Sequence, residues 1–207
     1  MDHNDITIII LLYKTPNNLL KNLNKYKNFK VLILDQSNNF SNKIGLKKVL
    51  PKIQYYGVTK KNMGFAKAQN FLVKKVKTKY FFSTQPDINL SVKSIINLKK
   101  TIIKFKRDCI IAVPKIDKKK NINISKKKNK NKEFKVNDMI GAAFMADKKK
   151  FMKVGMFDVN FFFYWEDVDL SYRIKNSKYN IYTNLKSKAQ HAGGTSSRNI
   201  LSTLIIR

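Results

Sequence analysis

Ile6-Thr7-Ile8-Ile9-Ile10-Leu11-Leu12-Tyr13 is a β-branched, apolar run with no polar alternation. Such a run reads as a strand buried on both faces, the kind found in parallel sheets covered by helices. Thr15-Pro16 follows and opens a helix, with Thr as cap and Pro at the first position. Leu19, Leu20 and Leu23 give that helix its apolar face.

The same alternation continues along the chain. Strands are predicted over Phe29 to Leu34, Ile53 to Val58, Tyr80 to Thr84 and Cys109 to Val113. Helices are predicted over Ser41 to Leu50, Ala66 to Val76 and, capped by Ser91, through Phe105. Four strand–helix repeats argue for an α/β fold with a parallel sheet and helices on both faces. Ligands of such sheets bind beyond the carboxyl ends of the strands. Asp35, the turn Asn62-Met63-Gly64, and Asp87 lie at or just past three such ends.

Residues 116–135 are rich in Lys and Asn with little periodicity, and read as a mobile, solvated insertion or hairpin. Asn137 to Ala146 resumes as a strand through Gly141-Ala142-Ala143-Phe144. Small residues there suit either close approach by a ligand or tight packing. Asp147 caps a short helix ending at Gly155. Phe161-Phe162-Phe163-Tyr164-Trp165 then delivers Glu166, Asp167 and Asp169 into the start of an amphipathic helix. The aromatic run is expected to be largely buried. Acids favour the positive end of a helix, and Asp169 can pair with Arg173 one turn on. A carboxylate against aromatic walls gains proton affinity, which suits a general base. A strand over Tyr179 to Thr183 precedes the loop His191-Ala192-Gly193-Gly194.

Composition narrows the field. The 207 residues are expected to form one domain, with no apolar run long enough to span a membrane and no basic start of a secretory signal. Cys109 is the only cysteine, so no intramolecular disulfide can form. It reads as a core residue in a reducing compartment, which favours the cytoplasm. Forty-three basic residues against 13 acidic give a net charge of +30. Two readings stand: a polyanionic partner, such as nucleic acid or an anionic membrane, or a coding bias toward Lys, Asn and Ile. One Cys and two His exclude zinc-finger spacing, and no base-stacking aromatic motif is present, so nucleic acid is the weaker partner.

Taken together these stretches resemble the family 2 glycosyltransferases, in particular the rhamnosyltransferase- and galactofuranosyltransferase-like branch. The matching segments are the first strand, Asp35-Gln36-Ser37, Asn62-Met63-Gly64-Phe65-Ala66, Pro86-Asp87, Gly141-Ala142, Val154-Gly155-Met156-Phe157-Asp158, Glu166-Asp167-Val168-Asp169-Leu170-Ser171-Tyr172-Arg173 and His191, in the family's order. The resemblance implies a GT-A fold over residues 1–207. It also implies a UDP- or dTDP-sugar donor, Mg²⁺ or Mn²⁺, and inversion at the anomeric carbon. By the same resemblance Asp167 is the catalytic base, with Glu166 beside it in a binding or orienting role. Asp87 and His191 hold the metal. Asp35 hydrogen-bonds the donor's base, and Asn62, Gly64, Pro86, Gly141 and Ala142 complete the donor site.

That chemistry suits these residue types. Inverting transfer needs one base for the acceptor hydroxyl and positive charge on the departing diphosphate. The resemblance extends to a role in cell-surface polysaccharide synthesis, with a glycan or lipid-linked acceptor and peripheral contact with the inner face of an anionic membrane. There are departures. Gln85 stands where the branch has Asn, Asn89 is neutral where other branches carry a second acid, and Leu12-Tyr13-Lys14 replaces the usual end of the first strand. The family's C-terminal extension is expected to be absent, by truncation or in a minimal form. Two rivals remain at this point: a donor-binding or scaffold domain without turnover, and a basic nucleic-acid-binding module.

Overall fold

The computed structural model describes residues 3–37, 41–57, 61–118 and 132–191. Its first strand, β1 (Ile6–Leu12), explains the layering by itself. Ile6, Ile8, Ile10 and Leu12 enter one apolar core, and Ile9 enters a second on the opposite face of the sheet. Full burial of each such side chain contributes about 1.5–3 kcal/mol, so a strand carrying apolar residues in both registers is held from both sides.

The first core receives the short helix α1 (Asn17–Leu20) with the 3₁₀ turn Lys21–Tyr26, and also α2 (Ser41–Val49) and α4 (Val92–Lys104). The second receives α3 (Phe65–Lys75), α5 (Lys148–Lys153) and α6 (Glu166–Lys175). Helices therefore cover both faces, as expected. Ser91 caps α4 by accepting from Ser94 N–H, and Asp147 caps α5 by accepting from Lys150 N–H. Thr15 does not cap α1. That place falls to Pro16, and the Thr15 hydroxyl accepts instead from Tyr13 N–H at 3.3 Å.

Besides β1, the sheet contains β2 (Lys30–Asp35), β3 (Ile53–Gly57), β4 (Tyr80–Thr84), β5 (Ile88–Leu90), β6 (Cys109–Lys118), β7 (Glu133–Val136), β8 (Ala143–Asp147) and β9 (Asn180–His191). Their order is β3-β2-β1-β4-β8-β6-β9-β5, with β7 also paired to β9. The first four strands are parallel, as the strand–helix repeats require. β8 then runs antiparallel to both β4 and β6, so the second half of the sheet is mixed.

Several boundaries differ from the sequence reading. Residues 116–118 extend β6 alongside β9, and Glu133–Val136 form β7, so both ends of the predicted insertion are strand. The remainder of that insertion, 119–131, lies outside the described residues, as do Val58 and residues 192–207. The strand predicted from Asn137 begins only at Ala143, because residues 137–142 form a loop whose Met139 and Gly141 N–H groups bond side chains of α6. The last strand does not stop at Thr183 but runs to His191, with alternating burial in its second half.

Candidate active site

The strand order reverses between β1 and β4, since the chain runs outward from β1 through β2 to β3 and then returns to β1's other side. A crevice opens at the carboxyl ends of strands at such a switch point. One lies here, an open cleft lined by Leu12 at the end of β1, Tyr13 and Thr15 after it, and Gln85, Pro86 and Asp87 after β4. Gln36, Asn62, Gly64 and Phe65 close one side of it, and Phe162 and Phe163 another. A second cleft adjoins it, lined by Gly141, Ala142, Glu166, Asp167 and His191. Phe65, Gln85, Asp87 and Phe163 line both.

The walls have identifiable fastenings. Asn62 Oδ1 accepts from Gly64 N–H at 2.9 Å, and Phe65 N–H donates to the Phe162 carbonyl at 2.7 Å. Asn70, buried on α3, exchanges two hydrogen bonds with the backbone of Phe157. Arg173 donates to Asp169 at 2.7 Å and to the carbonyls of Val154 and Met156. The expected Asp169–Arg173 pair therefore forms, and it anchors the segment before the aromatic run to α6.

The aromatic run itself corrects an expectation. Phe162, Tyr164 and Trp165 are exposed, Trp165 at 68%, and Phe161 and Phe163 are half-buried. Tyr164 (φ 68°) and Trp165 (φ 71°) are both left-handed, a costly conformation for residues with side chains. This turn leaves Tyr164 and Trp165 outward, with Phe162, Phe163 and Tyr164 lining the clefts, while the chain enters α6 with Glu166 buried. The run is a wall of the site, so it packs less deeply than core aromatics.

The two adjacent carboxylates occupy different environments. Asp167 accepts from Gly141 N–H at 3.0 Å through Oδ2 and from Val168 N–H at 2.9 Å through Oδ1. These bonds fix its orientation at the cleft. Glu166 is 6% exposed, and its Oε2 has no hydrogen-bond partner among the described residues. Burial pushes its pKa up to about 7, with its own backbone N–H opposing and the Asp167 charge adding to the rise. A gain in proton affinity of the kind expected beside aromatic walls is found at Glu166.

His191 reaches the site through strand register. β5 pairs antiparallel with β9, setting Ile88 opposite His191 and so bringing Asp87 beside the imidazole. His191 Nε2 lies 3.3 Å from Asp87 Oδ2. His191 is therefore a strand-end residue, not the loop residue expected. That separation is an ion-pair distance when the imidazole is protonated, and two neighbouring ligands at about 2.1 Å from one hard cation would likewise stand about 3 Å apart. No group of three or more His, Cys, Asp or Glu side chains suited to a metal occurs among the described residues. Such a cation would need donor oxygens as well, as Mg²⁺ characteristically does. Asn89 lines neither cleft, and its Oδ1 accepts from Lys25 at 3.4 Å.

Asp35 is placed differently from the other expected site residues. It is 1% exposed, and its carboxylate accepts from Tyr55 OH at 2.8 Å, from Ser37 N–H at 2.9 Å and from the Ser37 hydroxyl. Gln36, singled out by no composition or charge signal, lines the first cleft instead. Gln85, Phe65 and Phe163, which line both clefts, stood in stretches the sequence reading quoted but were given no site role, because apolar and amide side chains mark no particular chemistry.

No family model matches the chain, and no curated protein matches it in sequence. Solved structures do share its architecture. GalNAc-T7 with UDP, GalNAc and Mn²⁺ is 16% identical over 92% of this chain and 44% of that one, with a TM-score of 0.72. S. aureus TarS 1–349 in complex with UDP is 14% identical over 90% and 60%, with a TM-score of 0.69. The same TarS fragment with UDP-GlcNAc is 13% identical over 92% and 59%, with a TM-score of 0.66. The chain spans roughly half the length of these proteins. Identities this low speak to fold alone, and on that ground the chain has the α/β fold of the GT-A glycosyltransferases.

Proposed function

We propose that the chain transfers a sugar from a UDP- or dTDP-sugar to a hydroxyl of a glycan or lipid-linked acceptor, with inversion, in cell-surface polysaccharide synthesis. The observation that carries this reading is the position of Asp87, which lines both clefts. On one side lies the switch-point crevice, where a nucleotide would bind. On the other lie the two carboxylates that an acceptor hydroxyl would meet.

In this reading Asp87 and His191 hold Mg²⁺ or Mn²⁺ between them. When bound, the cation offsets the charge on the departing diphosphate. Asp167, oriented by the N–H groups of Gly141 and Val168, takes the acceptor proton as the acceptor oxygen bonds the anomeric carbon and the bond to diphosphate breaks. The proton ends on Asp167 and the electron pair leaves with the nucleotide. Glu166 Oε2, buried and without a hydrogen-bond partner among the described residues, accepts from a sugar hydroxyl. Phe163 and Tyr164 screen the reacting atoms from water. The test is release of nucleoside diphosphate from nucleotide sugars with and without Asp167→Asn. Wild-type turnover that the variant loses supports the reading; no turnover with any donor tested counts against it.

A further inference from the structure

We infer that the exposed face of α6 binds an uncharged oligosaccharide, the part of the acceptor that lies beyond the sugar receiving the transfer. This deepens the acceptor half of the reading above and rests on it. Trp165 at the N-cap, Val168 and Tyr172 are 68%, 47% and 68% exposed. Three and four residues apart, they form one stripe along the helix. Such a stripe ordinarily turns into the core, but here Leu170, Ser171 and Ile174 carry the buried face. Trp165 is the only tryptophan of the chain, and it and Tyr164 are held left-handed. Backbone strain of this kind gathers at ligand sites. Tyr164 lines the second cleft with Asp167, and Trp165 follows it directly, so the stripe continues the cleft. From Trp165 to Tyr172 it runs about 10 Å along the helix axis, room for a short run of linked sugar rings.

Local charge decides what the stripe fits. From Val154 to Tyr172 the chain carries four acids and no Lys or Arg, although it has 43 basic residues in all. An anionic membrane or a nucleic acid would meet carboxylates here and no cation, so charge turns both away from this face. A sugar suits it. Trp and Tyr offer flat, rigid apolar contact at low entropic cost, and a sugar ring presents a C–H face to such a surface. Its hydroxyls need acceptors at the rim. Asp169 stands between Trp165 and Tyr172 on the helix surface. Its Oδ2 takes both bonds from Arg173, and its Oδ1 has no hydrogen-bond partner among the described residues.

Trp165, as the sole tryptophan, reports on this face through its own fluorescence. Its emission is followed in the full chain during titration with neutral mono- to hexasaccharides of the gluco-, galacto-, rhamno- and N-acetylglucosamine series, and with neutral and anionic lipid vesicles. Wild type, Tyr172→Ala and Tyr172→Phe are compared, melting temperatures check folding, and UDP with Mn²⁺ is titrated calorimetrically in parallel. In at least one series the emission is expected to shift, with the longer saccharides binding about tenfold or more tightly than the monosaccharide. Tyr172→Ala is expected to lose that gain with length, and Tyr172→Phe, which keeps the ring, to retain it. The inference is overturned if no saccharide shifts the emission, if vesicles alone shift it, or if the gain with length is absent or survives in folded Tyr172→Ala. Should UDP bind while these tests fail, the inference falls alone; should neither UDP nor any saccharide bind, the donor reading falls with it. Length-dependent saccharide binding without UDP binding upholds the glycan face and overturns the donor reading.

Discussion

Gly64 and Phe162 meet so closely that a Cβ on Gly64 would stand 2.5 Å from the Phe162 carbonyl oxygen. Gly64 also holds φ +84°, a conformation that L side chains rarely adopt. The contact docks the aromatic wall onto the start of α3, beside the hydrogen bond from Phe65 N–H to the same carbonyl. Gly64→Ala is therefore expected to destabilise the fold by about 2–4 kcal/mol, combining backbone strain with a clash against backbone that cannot yield. In a chain of this size that lowers Tm by roughly 5–15 °C. Calorimetry showing a wild-type Tm would contradict this account of the wall.

Glu166 makes stability depend on pH. Its folded pKa of about 7 lies above its ordinary 4.5, so the native state holds the proton more tightly than the unfolded chain. The favourable term is full below about pH 4.5 and is lost as pH rises through about 7, where a buried carboxylate must ionise. Glu166→Gln removes that loss. The variant is expected to be more stable than wild type at pH 8, by on the order of 2 kcal/mol after allowing for solvent screening at the cleft, and the gain is expected to vanish near pH 4.5. Denaturant titrations of both proteins across that range read the difference directly. A pH-independent difference would show that Glu166 is not held as described.

Asp167→Asn keeps the shape of the side chain but cannot take a proton. Turnover is expected to fall roughly 10²–10⁴-fold with donor affinity nearly unchanged, because the base acts on the acceptor. Glu166→Gln is expected to be milder in kcat. Steady-state kinetics on each variant, with donor binding measured separately, separates the two. If Glu166→Gln loses turnover and Asp167→Asn keeps it, the proton passes to Glu166 instead.

The net charge of +30 suits a lipid-linked acceptor held at an anionic surface. No helix among the described residues is long and apolar enough to cross a membrane. Reversible binding to anionic vesicles, lost at high salt, is the expected outcome, each Lys or Arg near the surface contributing about 1 kcal/mol. Sedimentation with equal binding to neutral vesicles would contradict it.

Much of the fold was legible because β1 carries apolar residues in both registers, and that pattern has few structural meanings. The caps Ser91 and Asp147 and the pair Asp169–Arg173 were legible for a similar reason, being local and close in sequence. What could not be read locally was the second half of the sheet. β5 has only three residues and makes sense only against β9, so the strand position of His191 beside Asp87 depends on a pairing about a hundred residues apart in sequence. The burial of Phe161 to Trp165 was misjudged because hydrophobicity does not reveal a left-handed turn at Tyr164 and Trp165. Asp35 and Gln36 are adjacent, and the choice of which one faces the cleft rests on Tyr55, a strand away.

Metal-dependent binding of a nucleotide sugar at Asp87 underlies the proposed transfer. Calorimetric titration of UDP-sugars and dTDP-sugars into the protein, with Mn²⁺ and with excess chelator, tests it most directly. Wild type is expected to bind in a way that chelation abolishes and Asp87→Ala does not show, and His191→Ala is expected to bind only at higher Mn²⁺. Binding of equal strength in chelator, or in Asp87→Ala, would contradict it.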